Sequence, residues 1–324
     1  MASVAGAHLA VGPDGLNLLG FLAGLGTLVA LRRAWPDRTV RLSWTLPRRG
    51  LGAGGWRPLL HVQPSVSQED IVDALYAQVT KAVSLTALGD VDDNLRISKA
   101  AFRSKAVSLQ HDRTAADLLA ALVAEAGAKD DLKPTPFRAL TGAGHLKFLK
   151  TVRALSDPTR LRRVDIARAL FQPWTYENIR LTFRWDPVDY RPFADRAYNP
   201  AEDLIRTEWG ANRLAFEALV LFPMVWNGEV VGVRSNEVRW PIWLPPASVE
   251  TIRSLLAHPV LFLDSRAAEL ERLGVRLVAS CRRFTWGQQN AYVNFTSPRI
   301  AWSSATIWDN HEAVDADAES KADG

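Results

Sequence analysis

The strongest constraint on this chain is an unbroken apolar run near its start, LNLLGFLAGLGTLVAL at residues 16–31. As a helix these sixteen residues would span roughly 24 Å, short of the ~30 Å hydrocarbon core of a bilayer. Asp14 precedes the run and Arg32-Arg33 follow it, the reverse of the charge order in a secretory signal. The run therefore reads as a core helix capped near Asn17, with Gly20, Gly24 and Gly26 allowing close backbone packing. No targeting motif occurs elsewhere, so no membrane partner is expected.

Beyond this helix the pattern changes period. Residues 39–46 alternate apolar and polar, and residues 56–62 form a second such segment. Pro47, Arg48, Arg49 and LGAGG lie between them, which predicts a hairpin with a long basic loop. Ser67-Gln68-Glu69-Asp70 predicts a capped helix running to about Ala82. Thr114 is placed to cap an alanine-rich helix to Glu125, with Gly127 to end it. The segment KDDLKPTPF at 129–137 carries two prolines and reads as a linker. Residues 141–171 read as mostly helical, 179–185 as a strand, 208–221 as a helix and 230–243 as a hairpin. A capped helix follows at 248–257, then a last hairpin at 275–284 and 292–296 around Gly287. There is no fixed repeat. The expected fold is α+β, with mixed helices and antiparallel hairpins. A length of 324 residues suits two subdomains, set at 1–128 and 129–308, followed by an acidic disordered tail at 309–324.

The chemistry is narrowed by absences. One cysteine, Cys281, excludes an internal disulfide, and six scattered histidines offer little for a metal cage. A reducing, cytoplasmic compartment is expected. No His-x-x-His, Cys-x-x-Cys, H-E-x-x-H, G-x-S-x-G, P-loop or dinucleotide fingerprint occurs. The expectation is a protein without catalytic residues, metal or cofactor. Cys281, beside Arg282 and Arg283, is either an activated thiol or a buried small hydrophobe.

Charge is more informative. From Asp309 onward six acids face only Lys321, which leaves 38 basic and 29 acidic residues in 1–308, a net of +9. A basic body favours a polyanionic partner. Between Arg32 and Arg57 seven arginines face Asp37 alone, with Trp35, Trp44 and Trp56 interleaved as core residues or as stacking platforms. Between Lys133 and Arg168 nine Lys or Arg face two aspartates. Within this second cluster Thr141-Gly142-Ala143-Gly144-His145 precedes a helix, where free N–H groups at the positive end can hold a phosphate. Lys147 and Lys150 would reinforce it. The alternatives are a tight turn and a solvated helix face. Asn212 and Arg213 could read base edges, or cap and pair within their own helix. The candidate nucleic-acid-binding residues are thus Arg48, Arg49, Gly144, His145, Lys147, Lys150, Arg160, Arg162, Arg163, Asn212 and Arg213.

Four segments carry a resemblance: NLLGFLAGLGTLVAL at 17–31, FRALTGAGHLKFLKTVRAL at 137–155, ALFQPWTYENIRLTFRWDPVDYRPFA at 169–194 and TEWGANRLAFEALVLFP at 207–223. Together, 77 residues in this order resemble the large-subunit family of type I-G (formerly I-U) CRISPR Cascade complexes, in its compact branch. W-D-P-x-x-Y-R followed by G-A-N-R-L-A-x-E-A-L-x-x-F-P is the most telling part. Leu18 departs from the family, which often has Pro there, and residues 224–324 match none of its motifs. The resemblance implies a non-enzymatic subunit, with guide RNA, target DNA, the other Cascade subunits and a trans-acting helicase–nuclease as partners. It implies reading of the protospacer-adjacent motif by protein, while base pairing reads the target. The rival expectations are a metal-dependent nuclease using carboxylates such as Asp186 and Asp189, and a protein-only scaffold.

Overall fold

The structure, a computed structural model, describes residues 6–81, 88–89, 91–125, 132–141, 147–187, 205–225, 229–263, 267–286 and 292–304. The apolar run forms helix α1 (Leu18–Ala34), and its cap is the one expected: the Asn17 side-chain oxygen accepts from the Gly20 N–H at 3.2 Å. Every residue from Leu18 to Leu31 is buried. A helix apolar on all sides has to be covered on all sides, so α1 becomes the axis of the fold. No helix among the described residues is long and apolar enough to cross a membrane.

Further helices are α2 (Gln68–Thr80), α3 (Lys99–Ser108), α4 (Arg113–Leu122), α5 (Phe148–Ser156), α6 (Arg163–Phe171), α7 (Trp209–Glu217), α8 (Val249–Ala257) and α9 (Ala267–Arg272). One side of α1 is covered by an antiparallel sheet of β1 (Ala7–Leu9), β2 (Thr39–Thr45) and β3 (Arg57–Gln63), in the order β1-β3-β2. Helix α7 covers another side and makes the most extensive contact with α1, and α2 and α8 also touch it. The approach to α7 is set by Gly26, where an added Cβ would stand 1.7 Å from the Leu214 carbonyl oxygen. Gly26→Ala must therefore push the two backbones apart. It is expected to cost about 3 kcal/mol, the upper end of overpacking penalties, read as a lower midpoint in urea unfolding.

Short strands fill the middle of the chain: β4 (Val123–Glu125) with β5 (Leu132–Pro134), and β7 (Asn178–Ile179) with β8 (Arg206–Thr207). The larger sheet runs β6 (Leu140–Thr141), β12 (Tyr292–Phe295), β11 (Val275–Trp286), β10 (Glu237–Trp243), β9 (Val233–Arg234), with β13 (Arg299–Ser303) also on β11. Strand β2 is tied to the segment just after β10 by reciprocal hydrogen bonds between Leu42 and Ala247, at 2.9 and 2.8 Å. Aromatic rings join them further. Phe21 stacks on Trp44 at 5.6 Å, and Trp243 meets both edge-on. The indole N–H groups of Trp240 and Trp243 donate to the carbonyls of Gly15 and Leu42. A second aromatic group, Phe137, Phe148, Phe183, Trp185 and Phe216, lies between α5 and α7 and the segment before Asp186.

The α+β reading holds, as do the hairpins expected at 39–62, 230–243 and 275–296 and the capped starts at Ser67 and Ser248. Three details differ. The alanine-rich helix is capped by Asp112 rather than Thr114, and it ends at Leu122, giving way to β4. Pro134, expected in a linker, closes β5, where a two-stranded edge does not need its missing N–H. Of residues 179–185 only Ile179 is in a strand, as the end of β7. Arg180, Leu181 and Arg184 sit in the left-handed region (φ 58°, 45° and 63°), and the Phe183 N–H goes to a side chain, Asn212 Oδ1, instead of a neighbouring strand. One hydrophobic cluster runs from Ala10 to Phe295. Gly127, Gly287 and the acidic tail lie outside the described residues.

Candidate nucleic-acid interface

The basic residues sort into those that the fold uses and those that it leaves on the surface. Between Arg32 and Arg57 four arginines serve the fold. Arg32 donates to the carbonyls of Trp35, Pro36 and Arg38 just beyond α1. Arg33 pairs with Glu217, and Arg38 donates to the Pro64 carbonyl while lying over the Trp35 ring. Arg57 donates to the carbonyls of Gly12, Pro13 and Gly52, which folds the glycine loop back on β3; Gly52 itself sits at φ 88°. Trp44 and Trp56 are buried in the core, so the stacking-platform reading fails for both. What remains outward in this cluster is Arg41, Arg48 and Arg49, all exposed.

The second cluster keeps more of its charge available. Phe148, Leu149, Val152 and Leu155 of α5 are buried, while Lys147, Lys150 and Arg153 recur every third residue on the outer face. Arg153 is held by Asp93 at 2.7 Å. The start of α5 is partly closed by the protein itself, because the Leu149 N–H donates to the Asp93 carbonyl at 3.1 Å. Gly144 and His145 lie outside the described residues. After α5, Asp157 shapes a turn through Thr159. These hydrogen bonds hold its carboxyl below the usual range. The turn presents Arg160, Arg162 and Arg163 to solvent. Arg163 is paired with Asp73 of α2, and Arg162 stands 3.6 Å from Asp165. Among the described residues no carboxylate forms a salt bridge with Arg49, Lys147, Lys150 or Arg160, although the charge of Arg160 is felt by Asp157, and these four exposed cations are the ones best placed for an outside anion.

Asn212 and Arg213 require correction. Both are buried and neither faces solvent. Asn212 accepts from the Phe183 N–H and donates to Thr207 Oγ1 and the Glu208 carbonyl, so its amide is fully used. Arg213 donates to the Val79 carbonyl, Ser156 Oγ and Glu217 Oε1, tying α2, α5 and α7 together. Glu217 in turn holds Arg33 of α1. Burial pushes the Glu217 carboxyl up, but Arg213 and Arg33 outweigh it and hold the group below the ordinary carboxylate range. Glu208, also buried, has its carboxyl raised by desolvation despite accepting from the N–H groups of Thr175 and Tyr176. The signature from Glu208 to Glu217 is thus a hydrogen-bonded hub of the core.

Asp186 is likewise internal, accepting from Asn17 Nδ2 and the Tyr176 hydroxyl, each at 3.1 Å; Asp189 lies outside the described residues. Among the described residues no three His, Cys, Asp or Glu side chains gather as a metal-binding set. Cys281 is buried in β11, and desolvation with nearby Glu237 pushes its thiol up to about 12, opposite to the activation its arginine neighbours suggest. The native protein is expected to resist alkylation by iodoacetamide near neutral pH and to react once unfolded, as read by mass spectrometry. One grouping was not legible as a site in the sequence: Arg96 and Arg138, far apart in the chain, line a common groove. Only contact across the fold brings them together. The chain matches no family model, no curated protein and no solved structure.

Proposed function

We propose that this chain is a non-catalytic, nucleic-acid-binding subunit of a cytoplasmic CRISPR RNA-guided complex, acting as its compact large subunit. The observation that carries the reading is the division of its cations. The fold consumes those it needs and leaves Arg49, Lys147, Lys150 and Arg160 outward and outside any salt bridge among the described residues, in a body of net positive charge. The ordered resemblance of four segments supplies the kind of assembly. Phosphate contacts of this kind position a protein on a backbone without reading sequence. Recognition of the protospacer-adjacent motif and presentation to a helicase–nuclease belong to the same proposal.

The test is reconstitution. The chain is co-expressed with candidate Cascade subunits and a guide RNA, and the complex is purified through another subunit. The expected result is co-purification of this chain, with target-duplex binding that collapses when it is omitted. The isolated chain should bind nucleic acid only at ~10⁻⁴–10⁻⁶ M near physiological salt, the range of sequence-independent phosphate contact. A complex that binds its target equally well without the chain overturns the assignment. Cleavage of nucleic acid by the purified chain with magnesium or manganese favours the nuclease reading instead.

A further inference from the structure

We propose that the groove between Arg96, Lys99 and Arg138 is a binding site for a phosphate group. It is independent of the assembly role above, because it follows from the groove alone. The groove holds about 530 Å³ and is lined by Arg96, Ser98, Lys99, Leu132, Pro134 and Arg138, with Leu95 and Ile97 along the same turn. That volume admits a phosphate together with an attached sugar. Its cations come from separate parts of the chain: the turn before α3, the first residue of α3, and the segment between β5 and β6.

The turn is built to present Arg96. One Asp92 carboxylate oxygen accepts from the backbone N–H groups of Asn94 and Arg96, and Leu95 between them is buried at φ 62°. The Arg96 side chain is left exposed, with no carboxylate partner among the described residues. Arg138 is half-buried and anchored by the Asn94 carbonyl, which fixes the direction of its guanidinium. The site also lies at the start of α3, capped by Ser98, where the helix dipole favours an anion.

The electrostatics match. Burial lowers the affinity of Arg138 for its proton, and the charges of Arg96 and Arg283 lower it further, with Asp92 only partly opposing them. Arg283 is itself depressed by burial, and its Nε is buried with no hydrogen-bond partner among the described residues. Two like charges acting on the half-buried Arg138 guanidinium would be offset by an anion bound beside it. Glu125 forms an ion pair with Lys99 but is not among the charges acting on Arg138. Arg103 holds Glu125 through two hydrogen bonds, at 2.6 and 2.9 Å, while Lys99 stands 3.7 Å away. Forked guanidinium groups suit the tetrahedral oxygens of phosphate.

The phosphate could belong to a nucleic-acid backbone, as a diester, or to a free monoester. Two probes separate these sources: a labelled single-stranded oligonucleotide with a 5′ hydroxyl, and inorganic phosphate. Both are titrated against the full chain and against Arg96→Glu, followed by anisotropy and by melting temperature. Arg96 is exposed, so this variant should fold; a circular dichroism spectrum checks that it does. Arg138→Lys, which keeps the charge and removes the fork, is the second variant. The expected result is at least tenfold weaker binding of one or both probes by Arg96→Glu, with Arg138→Lys weakened in the same direction. Loss for the oligonucleotide alone assigns the diester, and loss for inorganic phosphate alone assigns the monoester. A folded Arg96→Glu variant that binds both probes like the wild type overturns the site, as does a wild-type chain that binds neither.

Discussion

Glu217→Ala is expected to destabilise the protein by about 3–5 kcal/mol, enough to unfold a large fraction of it at physiological temperature. The substitution removes the carboxylate that sits between Arg213 and Arg33 and leaves Arg213, only 2% exposed, without a counter-charge. Breaking a buried pair from one side costs far more than the pair's net worth, because the remaining charge stays desolvated. The pH dependence carries a definite sign. The Glu217 carboxyl is held below its ordinary value in the folded state. Its contribution is therefore fully present above the unfolded carboxylate pKa and is lost as pH falls through the folded one. Urea midpoints at neutral pH should differ widely between wild type and variant, and the gap should narrow on acidification. A gap that stays constant into strong acid would show that Glu217 acts by shape rather than charge. Glu217→Gln should fall between the two, since an amide oxygen can still accept from Arg213.

The second large effect concerns binding. Neutralising Arg49, Lys147, Lys150 and Arg160 to Gln removes up to four phosphate contacts. At about 0.7–0.9 per contact, the slope of log affinity against log salt should flatten by about 3 units. Each position is exposed, so stability should move by no more than about 0.5 kcal/mol apiece. The measurement is the affinity of the reconstituted complex, or of the chain alone, for nucleic acid across a salt series. A folded quadruple variant with an unchanged slope would mean that these cations only solvate the surface.

How far the sequence could be read depended on the range of the interaction. Caps are decided within four residues, so Asn17, Ser67 and Ser248 were legible from the order of side chains alone. The hairpin pairing β2 with β3 was legible for the same reason, its alternation and its glycine loop being neighbours. The segment 179–185 misled because its alternating Phe183 and Trp185 are buried by a loop, whose turns at Arg180 and Arg184 are fixed by α7. Asn212 and Arg213 misled because polarity alone does not distinguish a surface contact from a satisfied core group. Three partners of Arg213 lie on α2, α5 and α7, a convergence that only the folded chain reveals. The groove at Arg96 and Arg138 was hidden in the same way. A chain carrying the Glu208–Glu217 signature is expected to share this core whatever its outer surface binds.

The encasement of α1 has a consequence for synthesis. Its principal cover, α7, lies about 180 residues further along the chain, and the β10 tryptophans lie later still. At roughly 5–20 residues per second, α1 emerges about ten seconds or more before α7 exists to receive it. During that interval its early neighbours, β2, β3 and α2, can shield only part of its circumference. The nascent chain therefore exposes the uncovered side of an apolar rod, the kind of surface that holding chaperones engage, and yield in a cell should respond to translation speed upstream of residue 217.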